Sequence, residues 1–249
     1  MKKLENKVAV VTGASKGIGA EIARGLASEG ALVVVNYSSD KKGADKVVTD
    51  IIAKGGKAIV VQGDVSSQSD VEALFAKTKE TFGDADILVN NAGVYTLSLL
   101  EDVTETEFHR QFNTNVLGVI LATQAAVAGF GEKGGSIINI GSSVTRLSPP
   151  QSTIYAGTKG ALDAITQVLS KELGPKKIRV NSINPGMTDT EGGRVAGLIG
   201  SPFQAQFEAM TPLGRIGQPT DISPIAVFLA SDDARWITGE VILAGGGMK

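Results

Sequence analysis

The stretch YAGTK, residues 155–159, sets a tyrosine and a lysine four positions apart with only small residues between them. On a helix, positions i and i+4 lie one above the other on the same face, so the Tyr155 phenol and the Lys159 ammonium become neighbours. An isolated phenol ionises near pH ~10, and a cation held beside it favours the phenolate and lowers that value. The pair can therefore be a tuned proton donor. It can equally be an ordinary helix face, and five letters do not separate the two readings.

A second chemical signal lies at the start of the chain, where the first strand-like run ends in TGASKGIG. Gly13, Gly17 and Gly19 give the spacing G-x-x-x-G-x-G. Glycines in such a turn let backbone approach a pyrophosphate closely, and the following helix N-terminus offers it free N–H groups and partial positive charge. The end of the second strand bears on which dinucleotide is bound. NAD binders place an acid about 20 residues beyond the glycines, where it takes the ribose hydroxyls and repels the extra phosphate of NADP. Here that place reads VNYSSDKK, with Asn36, Tyr37, Ser38 and Ser39 in it and Asp40 too late to reach. Lys16, inside the glycine turn, can meet a 2′-phosphate or be a solvated loop charge. The pattern predicts that NADP(H) is preferred, with NAD(H) still possible.

Other chemistries are disfavoured by composition. The chain has no cysteine and a single histidine, His109, so thiolate sites, histidine metal clusters and a Ser-His-Asp triad are not expected, and no metal site is predicted. A net charge of -2 leaves no basic field for nucleic acid. The opening MKKLENKVAVVTG holds an apolar run too short for a signal-peptide core or a membrane span, so a cytoplasmic protein without membrane contact is expected. His109, in a polar helix start, reads as solvent-facing or structural, and Trp236 as a core or subunit-contact residue.

The elements that must position these residues follow from periodicity. Short apolar runs rich in Val and Ile recur at 8–13, 31–37, 58–64, 86–93, 136–142, 178–186 and 241–246. Their continuity fits a sheet buried on both faces. Between them, groups such as Ile18, Ile22 and Leu26, or Leu162, Ile165 and Leu169, have helical spacing. The alternation predicts an α/β fold: one doubly wound domain over residues 1–249, with a seven-stranded parallel sheet and helices on both faces. Residues 187–212 interrupt the alternation with Gly-rich turns and short helix-like pieces. They read as a mobile lid at the carboxyl edge of the sheet, or as a surface excursion.

In this order the motifs resemble those of the short-chain dehydrogenase/reductase family over essentially the whole chain. TGASKGIG is similar to its cofactor turn, which implicates Gly13, Ser15, Lys16, Gly17, Ile18 and Gly19. Asn36, Tyr37 and Ser38 stand at its ribose end, and Asp64 with Val65 is similar to its adenine contact. NNAG, with Asn91, Ala92 and Gly93, is similar to its fourth-strand motif. NPG, with Pro185 and Gly186, followed by Thr188, is similar to the segment that holds the nicotinamide carboxamide. Asn115, Ser142, Tyr155 and Lys159 match its catalytic tetrad, with Asn113 and Ser143 as rival assignments. The thirteen-residue interval from Ser142 to Tyr155 is the family's usual one. The resemblance implies carbonyl reduction with Tyr155 as acid and Ser142 polarising the carbonyl. Lys159 would lower the phenol's pKa and hold the nicotinamide ribose. Asn115 would interrupt its helix and hold a water joined to Lys159. It also implies a homotetramer.

The residues expected on the substrate side are Tyr95, Val144, Thr145, the LSPPQSTI loop and the lid, with Arg146 and Arg194 as the nearby cations. Such a wall suits a small or medium hydrophobic ketone or the matching secondary alcohol. Two related activities stay open. A 3-oxoacyl carrier-protein reductase would need a basic docking patch, which is thin around AAVAGFGEKGGS although Lys171, Lys176 and Lys177 are present. A glucose dehydrogenase would need polar contacts that these segments do not offer. A non-catalytic dinucleotide-binding module would be expected to lack Tyr155 or Lys159.

Overall fold

The computed structural model describes residues 2–248. Seven parallel strands form one sheet: β1 (Val8–Val11), β2 (Leu32–Tyr37), β3 (Lys57–Gln62), β4 (Ile87–Asn90), β5 (Gly135–Ile140), β6 (Ile178–Pro185) and β7 (Val241–Ala244), in spatial order β3-β2-β1-β4-β5-β6-β7. The doubly wound architecture expected from the alternation is the one observed. β1 lies beside both β2 and β4, with Val10 opposite Val34 on one side and Leu88 on the other. There the winding reverses, and the carboxyl ends of β1 and β4 part to leave a crevice.

The sheet is buried on both faces because adjacent residues of a strand point to opposite sides. Ala9, Val11, Val33 and Val35 pack with Ile22 and Leu26 of α1 (Gly17–Ser28), Val47 and Ile51 of α2 (Lys41–Ala53) and Leu229 of α10 (Pro219–Ala230). Val10, Val34, Leu88 and Ile137 face the other way, against Leu74 of α3 (Gln68–Phe82), Ala126 of α5 (Gly118–Gly129) and Leu173 of α7 (Thr153–Leu173). Full burial of each such Leu or Ile stabilises the fold by about 1.5–3 kcal/mol.

Local chemistry sets the helix starts. Asp40 caps α2 by accepting from the Gly43 N–H at 2.9 Å, and Ser67 caps α3 by accepting from Asp70 N–H at 3.3 Å. α1 has no side-chain cap from Lys16, its N-cap residue. α4 (Glu105–Phe112) runs into α5 through a widened π turn, Asn113–Leu117, where the Gly118 N–H reaches back to the Asn113 carbonyl. By length and composition alone the run Glu105–Gly129, with mean hydropathy 1.2, is sufficient to cross a membrane. It packs instead on α3 and α7, and its first two turns carry Glu105, Glu107 and Arg110.

Residues 187–212 contain two helices, α8 (Glu191–Val195) and α9 (Pro202–Met210), above the crevice. Their stem is fixed: Gly217 N–H donates to Met187 O at 2.8 Å, and Asp189 N–H donates to Gly217 O at 2.9 Å. Trp236 is 96% exposed, which overturns its placement in the core, and His109 is exposed beside Glu105. Trp236 follows a short turn at 232–234, within the connection from α10 to β7.

Candidate active site

At the exit of β1, Gly13 adopts φ +59°, and a Cβ there would stand 2.7 Å from Ala92 Cα. Glycine thus lets the β1 and β4 exits touch. Gly13 N–H donates to Asn36 Oδ1 at 3.2 Å, while Asn36 Nδ2 donates to the carbonyls of Val61 and Gly63. The Asn36 amide therefore ties three strand ends together. Asn91 Nδ2 donates to the Thr12 and Gly13 carbonyls at 2.9 Å each, and a Cβ on Gly19 would collide with that amide.

One cavity of about 680 Å³ runs along this edge of the sheet. Gly13, Ser15, Lys16, Gly17 and Ile18 line its inner end, with Asn36, Ser38, Asp64 and Val65 beside them. Asn91, Ala92 and Gly93 line its floor, Ser142, Tyr155 and Lys159 its waist, and Pro185, Gly186 and Thr188 the wall beneath the lid. Three of the predicted catalytic and cofactor-binding residues are not on the wall. Tyr37 is buried in the core with Val33 and Val35, because alternation in β2 turns it away from the face of Asn36. Gly19 acts behind the turn, by making room for Asn91. Asn115 sits behind Gly93, 1% exposed, with its side chain fully engaged: Oδ1 accepts from Val94 N–H at 2.8 Å, and Nδ2 donates to Val94 O and Thr158 Oγ1. A Cβ on Gly93 would lie 3.4 Å from Asn115 Oδ1 and 3.7 Å from Lys159 Nζ, whereas Asn113 is exposed. The structure brings Asn115, not Asn113, toward the lysine.

Tyr155 and Lys159 occupy the first two turns of α7, on one face as the spacing requires. Lys159 Nζ lies 5.8 Å from the Tyr155 ring centroid and donates to the Ile140 carbonyl at 2.7 Å. Burial pushes the Tyr155 phenol up to about 12, with the Ser142 hydroxyl beside it pulling the other way. Burial also lowers the Lys159 ammonium to about 8, opposed by Asp163. Burial penalises the charged form of each group, so in the chain alone the phenol stands above its ordinary value and the ammonium below its own. Ser142 borders the cavity, with its Oγ accepting from Val144 N–H at 3.2 Å; Ser143 also borders it but is only 4% exposed.

The outer walls are apolar. Tyr95 lies with its ring 5.5 Å from that of Tyr155, and Leu97, Leu147, Pro149, Phe203 and Phe207 complete the surround. Val144 is on this wall, but Thr145 is not; its hydroxyl turns back to the Ser142 carbonyl. The expected cations also differ. Arg146 and Arg194 do not line the cavity, Arg194 being paired with Asp189 at 2.9 Å. Arg110 does, and its guanidinium holds the Glu107 carboxyl at about 2.

Comparison with known proteins fits this geometry. A family model described as enoyl-(acyl carrier protein) reductase matches residues 13–249. An uncharacterized oxidoreductase of Methylorubrum extorquens is 59% identical over 249 residues, covering 100% of both chains. A short-chain dehydrogenase from Burkholderia cenocepacia, solved in complex with NADP, superposes with a TM-score of 0.93 at 35% identity, covering 99% of each chain. The chain belongs to the short-chain dehydrogenase/reductase family. The angucycline C-6 ketoreductase LanV, solved with bound NADP, is similar at a TM-score of 0.92 and 38% identity, covering 99% of this chain and 96% of its own. As a member of the family, the protein is an NAD(P)-dependent oxidoreductase acting on CH–OH and carbonyl groups.

The residues of this short-chain dehydrogenase/reductase fit a dinucleotide. The Gly17 N–H at the start of α1 already carries an anionic oxygen, Glu191 Oε2 at 3.0 Å, so this amide is shaped and poled for a phosphate oxygen. Glu191 was not foreseen from the sequence, since it meets Gly17 across 174 residues. Thr12 was also missed: its hydroxyl accepts from Asn91 N–H at 3.0 Å and Ala92 N–H at 3.1 Å, holding the cavity floor. Its place directly before Gly13 at a strand exit was the available signal.

Proposed function

We propose that this short-chain dehydrogenase/reductase transfers a hydride between NADP(H) and a small or medium hydrophobic ketone, or the matching secondary alcohol, with Tyr155 as general acid and base. The observation that carries the reading is a single cavity with a glycine cradle at one end, apolar walls at the other, and the Tyr155 phenol and Ser142 hydroxyl between them. The preference for NADP(H) is supported by Lys16, Ser38 and Ser39 at the inner end. Asp40, expected to lie too far along to reach, also lines this end, because the turn after β2 folds back toward the glycine loop; one of its carboxylate oxygens is taken up by the Gly43 amide as a helix cap. NADP in the Burkholderia dehydrogenase and in LanV agrees with this choice.

When bound, the nicotinamide supplies the hydride; the chain supplies the proton. A phenol held at about 12 enters the reducing direction protonated, ready to give its proton to the carbonyl oxygen. The Ser142 hydroxyl donates to the same oxygen as charge develops on it. Lys159, below its pKa of about 8, is charged at neutral pH and stabilises the phenolate that remains. Asn115 holds the Val94 backbone and Thr158 in place beside the lysine. A homotetramer is part of the same proposal, supported by the exposed Trp236 and the half-buried edge strand β7.

The test is oxidation of NADPH by the purified protein with acetophenone, run beside NADH, a 3-oxoacyl thioester, an enoyl thioester, and glucose with NADP+. Turnover of acetophenone with NADPH at least about tenfold more efficient than with NADH, a difference of 1.4 kcal/mol, supports the proposal. Turnover confined to thioesters or glucose overturns the substrate class, and equal or better use of NADH overturns the cofactor preference.

A further inference from the structure

Gly17 opens α1, a helix of 12 residues whose N-cap residue Lys16 contributes no side-chain hydrogen bond. The amides of an uncapped helix start need an acceptor from elsewhere. The lid supplies one: Glu191 Oε2 accepts from Gly17 N–H at 3.0 Å. The contact is close along the whole of this turn. Gly17 has φ +57°, and a Cβ on it would lie 3.3 Å from Thr190 Cβ and 3.8 Å from Glu191 Oε2, so the start of α8 rests directly on the glycine turn.

This amide is also the one aimed at the inner end of the cavity, where a pyrophosphate would be held. One N–H cannot serve two anionic oxygens at full strength, and a carboxylate beside a phosphate adds repulsion in a partly dry site. The lid's cation, Arg194, bonds to Asp189 at 2.9 Å and interacts with Glu191 only through its charge, from farther away. The stem's bonds to Gly217 are made by Met187 and Asp189, and none of them involves Thr190 or Glu191.

We propose that Glu191 is a determinant of cofactor affinity in this enzyme: its carboxylate caps α1 through Gly17 in the lid position seen here and must leave that amide before the dinucleotide pyrophosphate can take it. Cofactor binding is thereby coupled to movement of the lid. The proposal rests on the dinucleotide reading above and adds a competitor built into the chain.

The experiment is titration of NADPH fluorescence with the wild type, Glu191→Ala, Glu191→Gln and Glu208→Gln, together with limited trypsin cleavage at Arg194 without added nucleotide. Glu208→Gln removes the same charge from α9 without touching Gly17. Loss of a charge-assisted competitor is expected to tighten the NADPH Kd of Glu191→Ala about tenfold, with Glu191→Gln intermediate. Glu208→Gln should stay within about twofold of the wild type. Cleavage at Arg194 should be faster in both Glu191 variants, because the latch on the lid is gone. Equal or weaker NADPH binding by Glu191→Ala overturns the proposal, as does a matching gain in Glu208→Gln, which would reduce the effect to net charge. Faster cleavage with no saturation by NADPH or NADH in any protein would overturn the dinucleotide reading, and the competition with it, while leaving the lid contact standing.

Discussion

Burial presses the Tyr155 phenol up to about 12 and the Lys159 ammonium down to about 8, so the same dry site favours the neutral form of each. For Tyr155 that keeps the proton where reduction needs it. Tyr155→Phe should lower turnover to below about 1% of wild type, the loss expected of a general acid, while leaving the NADPH Kd within about twofold. Retention of more activity than that, in steady-state assays at saturating NADPH, would remove Tyr155 from the proton-transfer role. For Lys159 the consequence is a stability cost. Below pH 8 the ammonium is charged in both folded and unfolded chains, and the folded state carries the full burial penalty. Between pH 8 and its ordinary value of 10.5 the folded lysine releases its proton first, so the wild type gains stability with rising pH. Lys159→Met should lack that rise, which amounts to roughly 3 kcal/mol across the window. Urea unfolding at pH 7.5, 8.5 and 9.5 reads the slope below the range where Tyr155 contributes, and parallel pH profiles for the two proteins would refute the assignment.

At the scale of elements, what the sequence made legible was what depends on neighbours in the chain. Continuous Val and Ile runs gave the strands, and a glycine turn between a strand and a helix gave the cradle. Tyr37 was legible in principle, since it shares a face with Val33 and Val35 by simple alternation. Glu191 and the off-wall position of Thr145 were not, because one is set by a partner distant in sequence and the other by a rotamer at a bend; Thr12 showed only its place before Gly13. The π turn lies between. Asn115 in a helical pattern signals an interruption, but the partners Val94 and Thr158 emerge only when β4's exit, the turn and α7 converge. Those partners make the turn testable. Asn115→Ala leaves the Val94 N–H and C=O, part-buried beside the cavity, without their acceptor and donor, and should destabilise the protein by about 1–3 kcal/mol. Asn113→Ala, at an exposed position two residues earlier, should change stability by less than about 0.5 kcal/mol. Denaturant midpoints for the pair check the contrast, and equal effects would mean that the turn, rather than the Asn115 amide, carries the stability.

On the scale of the whole molecule, the two edges of the sheet differ. β3 closes one edge with exposed Lys57 and Gln62 at its ends, polar groups that discourage pairing with another chain. β7 closes the other with Val241, Ile242, Leu243 and Ala244, all half-buried, and Trp236 stands 96% exposed just before it. An apolar edge strand next to a bare indole is a surface that needs a cover, and aromatic side chains of this kind are enriched where chains meet. Further exposed Val168 and Leu117 lie on α7 and at the end of the π turn, outside β7. Two separate apolar surfaces on one chain suit an assembly with two kinds of twofold contact, which closes at four copies. Light scattering should therefore give a mass about four times the 25.7 kDa of the chain. Trp236→Arg puts a charge into the β7 surface alone, so the tetramer should fall to dimers held by the other surface, with the far-ultraviolet circular dichroism of the fold unchanged. A wild type that runs as a monomer would defeat the assembly, and a Trp236→Arg protein that remains fully tetrameric would move the contact away from β7.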